Sequence, residues 1–425
     1  MMDVLKIAMV PVSKAGLAAV GFGISVYVGR TLGAEAFGVY AAATTLVVVF
    51  AGIIQHVADA AYLRIRDEMA PEDENIAIRA NIVLRAFGAV GSILLILIGV
   101  GVAALAGLNV PFSAAMIGLI CAGVASTVLM SVPQIIHQSR QHYRHYLTLD
   151  AAMYGLRVSG LAVLTLASSF TTALAFAAHA LAPALSIFAS PAKMGAPASR
   201  ADVQASMARM LRLGGWIGLA FVFSILTSKL DLLMLAFLST SQEAGIYAAA
   251  INLAIIAEFA GAFLLVVFYP NILRWYRELK LRRVLSLFLL AMAPLVVITG
   301  WIGVTFAEPI ITVVYGEEFS ASAPIFAVLL PLTLFMLLVQ PVAAPFINLR
   351  APHILCGIEV VGLVAALIAF SMVVPTHGAI GAAWVAFTVR GCVGVSILIW
   401  ALISAHPKNQ TDLTVAEQLE TEPQL

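Results

Sequence analysis

Five basic residues interrupt long apolar stretches of the chain, where hydrophobic side chains otherwise run without a break. They are Lys14, Arg85, Arg157, Lys229 and Arg390. A charged side chain at the centre of a membrane helix costs about 2.5–3.5 kcal/mol on insertion scales, so such a residue faces protein or a wet cavity. Cations in that setting bind anionic groups such as phosphates through charge-assisted hydrogen bonds. The five residues are therefore candidates for an anion site or for buried ion pairs.

Depth separates these five residues. Arg85 and Lys229 lie near the ends of their apolar runs, so we expect both to reach the interface by snorkelling. Lys14 and Arg390 lie about ten residues from the span ends, and Arg157 lies about 10 Å deep at about 1.5 Å per residue. Lys14 lies in the first half of the chain and Arg390 in the second half. Both side chains are predicted to project into the space between two lobes that these halves form. Binding of an anionic ligand and a structural ion pair both fit these three bases. Lys229 is also included among the candidate cavity cations.

Acidic residues in the apolar runs are fewer. The candidate counter-ions are Asp59, Asp231, Glu258 and Glu359. Glu359 lies at about the depth of Arg157 on the equivalent helix of the other half, so the two residues are candidates for a pair. Glu258 is the candidate proton or cation site, with a neutral, hydrogen-bonded acid as the other interpretation. The remaining polar candidates for a cavity wall are Thr44, Thr45, Gln55, Asn252, Gln340 and Asn348. The excess of bases favours an anionic cargo.

The composition is that of a polytopic membrane protein. The 425 residues are 62% hydrophobic and 11% charged, whereas soluble domains carry about 25% charged residues. A net charge of +1 argues against a nucleic-acid partner. The cysteines, Cys121, Cys356 and Cys392, lie in apolar runs and are interpreted as small buried hydrophobic residues. No nucleotide-binding loop of the GxxxxGK[ST] type occurs, and no cofactor or metal is expected.

About 20 apolar residues cross a membrane, and that length predicts twelve spans. They are residues 5–29, 38–62, 80–106, 112–138, 150–168, 171–190, 210–238, 245–269, 284–306, 324–348, 353–374 and 379–403. With the N-terminus inside, 17 of the 23 Lys and Arg residues fall on the cytoplasmic side and only Arg30 falls in an external loop. This asymmetry predicts cytoplasmic N- and C-termini.

A repeated phrase divides the chain into halves. "GAEAFGVYAAAT" contains Gly38 and Tyr40, and "SQEAGIYAAAI" contains Gly245 and Tyr247, each 207 residues further on. Each copy begins the second span of a half, and the tyrosines are expected at the membrane interface. Six spans per half make the repeats parallel, around a central cavity. The predicted division is an N-terminal lobe 1–195, a cytoplasmic linker 196–209, a C-terminal lobe 210–404 and a disordered tail 405–425.

Four segments resemble Wzx-type oligosaccharide flippases. "GRTLGAEAFGVYAAATTLVVVFAGI" resembles their first external turn, and "SKLDLLMLAFLSTSQEAGIYAAAINLA", with Asp231, their seventh span. "VVYGEEFSASAPIFAVLLP" resembles the segment before their tenth span, and "GAIGAAWVAF" the opening of their last. The resemblance implies the multidrug/oligosaccharidyl-lipid/polysaccharide exporter fold in a bacterial inner membrane. It also implies a polyprenyl-diphosphate-linked oligosaccharide as cargo, membrane lipid as surroundings, and a polysaccharide polymerase and export machinery as partners.

Two other functions fit the composition less well. A cation-coupled drug exporter of the same fold would carry an acid deep in the first span, where this chain has Lys14. A membrane glycosyltransferase or polymerase would need external carboxylates on a large loop. The external acids lie on short turns, and the longest external loop, "AEPIITVVYGEEFSASAP", is itself partly apolar. The sequence therefore favours a transporter over an enzyme.

Overall fold

The structure is a computed structural model that describes residues 2–68, 74–107, 110–192, 198–257, 275, 280–349 and 352–404. These residues form helices joined by short turns, and no strand occurs among them. The helices of the first half are α1 (Met2–Glu68), α2 (Glu74–Leu105), α3 (Ala114–Ser139), α4 (Tyr143–Leu166) and α5 (Thr172–Ser186). Those of the second half are α6 (Arg200–Leu238), α7 (Ser241–Ala254), α8 (Leu281–Thr305), α9 (Ala307–Tyr315), α10 (Ser322–Leu349) and α11 (Pro352–Ser404).

The described helices agree with the predicted spans. Nine helices are long and apolar enough to cross a membrane within the described ranges. Two of them are double spans, because α1 breaks at Gly33 (φ 79°) and α11 breaks at Gly378 (φ 55°). Glycine adopts these left-handed conformations without a Cβ penalty. The eighth predicted span, 245–269, coincides with α7 up to residue 254, and most of its remainder lies outside the described residues. The protein is a multi-pass, all-helical membrane protein.

Two connecting segments contain more helix than predicted. Residues 200–209, assigned to the linker, are the first turns of α6, which begins at the N-cap Ser199. The Ser199 hydroxyl accepts a hydrogen bond from the Asp202 amide at 3.2 Å, which is the usual way to start a helix. The segment predicted as the longest external loop contains α9 and a 3₁₀ turn at residues 317–319. The tail 405–425 and Lys193 lie outside the described residues.

The repeated phrase forms the contact between the two halves. A Cβ on Gly38 would lie 1.9 Å from the Ser241 carbonyl oxygen, and a Cβ on Gly245 would lie 1.8 Å from the Ala34 carbonyl oxygen. Ala34 and Ser241 are themselves 207 residues apart, so the contact is reciprocal, as a twofold axis requires. Small residues allow membrane helices to approach this closely. The repeat therefore marks the site where the second span of each half crosses the other.

The tyrosines of the repeat, which were predicted at the membrane interface, are buried in the protein core. Tyr40 is nearly buried and Tyr247 is fully buried. Each hydroxyl has an internal partner, since Tyr40 Oη lies 3.1 Å from His179 Nδ1 and Tyr247 Oη donates to Asp231 Oδ2 at 2.6 Å. The position of the rings along the span could not indicate these partners, and the depth of the rings in the membrane stays a prediction.

Candidate functional site

A cavity of about 310 Å³ lies between the two halves. It is lined by both arms of α1 and by α3, α4 and α5 of the first half, together with α6 and α7 of the second half. Its lining residues are Gly21, Ile24, Ser25, Phe37, Tyr40, Ala41, Thr44, Thr45, Val47, Val48, Thr127, Tyr154, Arg157, His179, Leu232 and Asn252. Among the described lining residues, Arg157 is the one Lys, Arg, Asp or Glu side chain, so this part of the wall carries a positive charge and no carboxylate.

Neutral groups hold Arg157 in place. Its Nε donates to the His179 carbonyl oxygen at 3.3 Å, and its guanidinium lies 5.5 Å from the centre of the Tyr154 ring. His179 in turn contacts the Tyr40 hydroxyl. A guanidinium has five N–H donors, and one carbonyl satisfies only part of that capacity. The geometry therefore orients the base toward the cavity while leaving donors available for an anion.

Hydroxyl and amide groups complete the wall. Thr44 and Thr45 line the cavity as the sequence predicted, and so does Asn252. Asn252 Nδ2 donates to Ser25 Oγ at 2.9 Å, a bond that joins the eighth span to the first and crosses from one half to the other. Gln340 is exposed on α10, and the side chain of Asn348 lies outside the described residues.

A second cavity, of about 250 Å³, lies within the first half and shares Thr127 with the first cavity. Its lining residues are Lys14, Gln55, Asp59, Thr127, Met130, Ser131, Gln134, Ile135, Gln138, Tyr146, Asp150 and Met153. All of these belong to α1, α3 and α4. Lys14 therefore faces a cavity of its own half, and not the space between the lobes that the sequence predicted.

Lys14 is engaged in an ion pair. Its Nζ lies 2.6 Å from Asp150 Oδ2 and 4.6 Å from the centre of the Tyr146 ring. Gln134 Nε2 donates to the other carboxylate oxygen at 2.7 Å. Asp150 is 6% exposed and Lys14 is 43% exposed. Asp150 escaped the sequence analysis because it opens the predicted fifth span and was not counted among the intramembrane acids.

Arg85 is a buried structural cation and does not snorkel, so that prediction is wrong. Its side chain is 1% exposed. It donates to Asp59 Oδ1, to Ser131 Oγ and to Asn81 Oδ1, and Asn81 Nδ2 donates to the Ala58 carbonyl oxygen at 2.8 Å. Asp59, one of the four acids predicted as counter-ions, is the counter-ion of Arg85. A partner within reach inside the bundle removes the reason for the side chain to extend to the membrane surface.

The candidate residues of the second half form a separate group. Asp231 accepts hydrogen bonds from the Tyr247 hydroxyl and, at 2.7 Å, from the Leu232 amide. Arg390 interacts electrostatically with both Tyr247 and Glu359. Glu359 therefore neighbours Arg390 and not Arg157, with which the sequence suggested a pair. Arg157 contacts a carbonyl oxygen and a tyrosine ring instead. Half-buried Lys229 is absent from the linings of the two cavities, and Glu258 lies outside the described residues.

The fold and the cavity define a two-half, multi-pass membrane protein with a polar, positively charged space at the junction of its halves. Three solved structures with this architecture are similar to the chain. Their sequence identities to it are so low that the similarity concerns the fold alone. The lipid II flippase MurJ in an inward closed conformation has a TM-score of 0.73 at 13% identity, covering 97% of this chain and 91% of that one.

The other two structures are transporters. An inward-facing multidrug resistance MATE family transporter of the MOP superfamily has a TM-score of 0.67 at 13% identity, covering 98% of this chain and 99% of that one. A MATE transporter from Vibrio cholerae has a TM-score of 0.65 at 14% identity, covering 95% and 96%. The chain thus has the fold that these flippases and transporters share. No curated protein sequence matches it.

A family profile described as "Polysaccharide biosynthesis protein" matches residues 27–324. That match covers more than half of the chain, and the chain belongs to this family. The matched region begins before the first copy of the repeated phrase and ends within α10, so it includes every residue that lines the first cavity except Gly21, Ile24 and Ser25.

Proposed function

We propose that the protein flips a polyprenyl-diphosphate-linked oligosaccharide from the inner to the outer leaflet of a bacterial cytoplasmic membrane during polysaccharide biosynthesis. The observation that carries this proposal is the first cavity, which lies between the halves and offers Arg157 with no carboxylate among its described lining residues. A diphosphate needs cations, and a glycan needs hydroxyl and amide partners. Membership of the polysaccharide biosynthesis family supports the same cargo class.

The proposed mechanism is alternating access. The two halves meet through reciprocal glycine contacts at the repeated phrase, and residues of both halves line the cavity. Rocking of one half against the other would expose the cavity first to the cytoplasm and then to the outside. The lipid tail stays in the bilayer while the diphosphate and sugars use the polar wall. The protein is then a transporter and not an enzyme, with cytoplasmic termini and a polysaccharide polymerase and export machinery as its partners.

The candidate cations take different parts in this proposal. Arg157 binds the diphosphate, because its partners are a carbonyl and a ring and it can engage phosphate oxygens bidentately. Arg390 and Lys229 supply positive charge from the second half. Lys14 reaches cargo only if its bond to Asp150 opens, so in the described state it acts as a structural ion pair. Asp231 and Glu359 are the proposed coupling or counter-ion residues, together with Glu258.

A flipping assay tests the proposal. The purified protein is reconstituted into liposomes that contain a polyprenyl-diphosphate-linked oligosaccharide with a fluorophore on the sugar. An impermeant quencher then reports the protected inner pool. We expect protein-containing vesicles to lose that protected pool, whereas empty vesicles and vesicles with a fluorophore-labelled phospholipid keep it. Protection of the glycan lipid combined with efflux of a cationic dye would contradict the proposal and favour the cation-coupled drug exporter.

A further inference from the structure

Two turns of the protein are built in the same way. Gly33 breaks α1 and Gly378 breaks α11, and in each case the helix restarts with an amide that donates to a glutamate. The Ala34 amide donates to Glu318 Oε1 at 2.7 Å, and the Ala379 amide donates to Glu243 Oε2 at 2.6 Å. A carboxylate at a helix N-terminus satisfies a free N–H and interacts favourably with the helix dipole.

The two glutamate caps differ in what they connect. Glu243 and Ala379 both belong to the second half, on α7 and α11. Glu318 also belongs to the second half, in the 3₁₀ turn after α9, but Ala34 belongs to the first half. The cap formed by Glu243 on Ala379 is therefore internal to one lobe. The cap formed by Glu318 on Ala34 bridges the lobes. It can persist only while the lobes are closed at the end of the bundle that contains the Gly33 turn.

Arg30 makes a second bridge at the same place. Its Nε donates to the Val314 carbonyl oxygen at 2.8 Å, and its guanidinium also donates to the Val313 carbonyl oxygen. Both carbonyls lie in the last turn of α9, where backbone acceptors lack helical partners and a cation is favoured. The charge distribution of the loops puts this end of the bundle outside. Arg30 is the one base that the sequence assigns to an external loop.

Aromatic rings fill the space beneath these bonds. The Phe37 ring centre lies 6.1 Å from that of Tyr315 and 5.9 Å from that of Phe319. Gly29 faces the Tyr315 ring so closely that an added Cβ would lie 3.2 Å from it. Phe37 also lines the first cavity. Phe37 thus contacts both the first cavity and the segment from Tyr315 to Phe319.

We propose that residues 315–319 are an external latch, fastened to the first half by Glu318 and Arg30, which closes the cavity to the outside. Opening outward requires both bridges to break, since each joins one half to the other. The latch rests on the proposed transport cycle for its meaning, but it predicts a measurable change in cavity access that needs no transport. Glu318 is exposed at the surface, so the fastening is accessible from the outer solution.

Cysteine accessibility tests the latch. In a chain with Cys121, Cys356 and Cys392 replaced by alanine, Thr44→Cys places one thiol in the first cavity. An impermeant maleimide is added to intact cells, and the labelling rate is measured. We expect Glu318→Ala and Arg30→Ala to raise the external labelling rate at least tenfold. Glu243→Ala is the matched control, because it removes the same kind of cap within one half, and it should leave the rate unchanged.

Two further variants separate the latch from general loosening. Glu317→Ala removes the same charge from the adjacent exposed position and should not alter labelling. Ala34→Cys with Glu318→Cys, joined by a bifunctional thiol reagent, should abolish external labelling at position 44 and stop flipping.

Several results would overturn the latch. They are unchanged labelling in folded Glu318→Ala and Arg30→Ala proteins, equal labelling in Glu243→Ala, or continued external labelling of the cross-linked protein. If the single variants fail to accumulate, the cross-linked protein decides the question. Failure of the glycan assay with the labelling pattern intact would reject the proposed cargo and keep the latch.

Discussion

The two cavities of this protein treat a buried base in opposite ways. The second cavity sets Lys14 and the adjoining Arg85 against two carboxylates, Asp150 and Asp59. The first cavity sets Arg157 against a carbonyl oxygen and a tyrosine ring, and the described part of its wall contains no carboxylate. The cavities share Thr127, so they are neighbours, but the first reaches the second half of the bundle through Leu232 and Asn252, whereas the second stays within the first half.

The difference shows that the counter-ion, and not depth alone, decides what an intramembrane base does. Each base costs about 2.5–3.5 kcal/mol on insertion scales. Ion pairs offset that cost in the second cavity, so its bases stabilise the first half. No acid among the described lining residues offsets the cost of Arg157, so its guanidinium keeps donors for an anion, which in the proposed cycle arrives with the cargo. Substitutions that remove one partner at a time test this difference.

The largest effect is expected from Asp59→Ala. The substitution leaves Arg85, which is 1% exposed, without its carboxylate. Removing one member of a buried pair typically costs 3–5 kcal/mol, and we expect about 3 kcal/mol because the Asp59 side chain is 35% exposed. Equilibrium unfolding in mixed detergent micelles measures this loss. The double variant Asp59→Ala/Arg85→Met should recover most of it, and a double variant no more stable than the single one would contradict the pairing.

The ion pair of the second cavity should respond asymmetrically. Lys14→Ala strands Asp150, which is 6% exposed, and we expect a loss of about 2 kcal/mol. Asp150→Ala leaves Lys14, which is 43% exposed and can turn toward water, and we expect about 1 kcal/mol. The same unfolding measurement compares the two variants. Equal losses, or a larger loss for Asp150→Ala, would show that Lys14 depends on its partner more than the geometry indicates.

The smallest effect is expected in the wall of the first cavity. Tyr40→Phe removes a hydroxyl that lies 3.1 Å from His179 Nδ1, a contact between two neutral groups. A typical net hydrogen bond contributes 0.5–1.5 kcal/mol, and we expect a loss of about 0.5 kcal/mol in unfolding free energy. A loss comparable to that of Asp59→Ala would mean that this wall carries a charge interaction after all.

The sequence predicted the helices better than their partners. Apolar length and loop charge predicted the spans, including the pairs that meet at Gly33 and Gly378, because both signals are local along the chain. The bond between Lys14 and Asp150 joins residues 136 positions apart, and hydropathy carries no information about such neighbours. The same reason explains the snorkelling expected of Arg85. The helix α9 was missed because its 9 residues are far fewer than the roughly 20 that a span needs.

Of the four cations predicted for the cavity, Arg157 lines the first cavity and Lys14 lines the second, whereas Lys229 and Arg390 line neither. Arg157, Thr44, Thr45 and Asn252 all line the first cavity, as depth and polarity in an apolar run indicated. His179 was missed, because a histidine in an apolar helix gives no sign of the arginine that it supports. Glu318 was missed as a cap because it lies 284 positions from the amide it binds.

The measurement that tests the central claim most directly is the glycan-lipid flipping rate of Arg157 variants in liposomes. We expect Arg157→Ala to lower the rate at least tenfold, and Arg157→Lys to keep part of it, because charge remains without the planar fork. The matched control is the double variant Lys14→Ala/Asp150→Ala, which removes a base and an acid together from the second cavity and should flip at a near wild-type rate. A folded Arg157→Ala protein that flips normally would contradict the account.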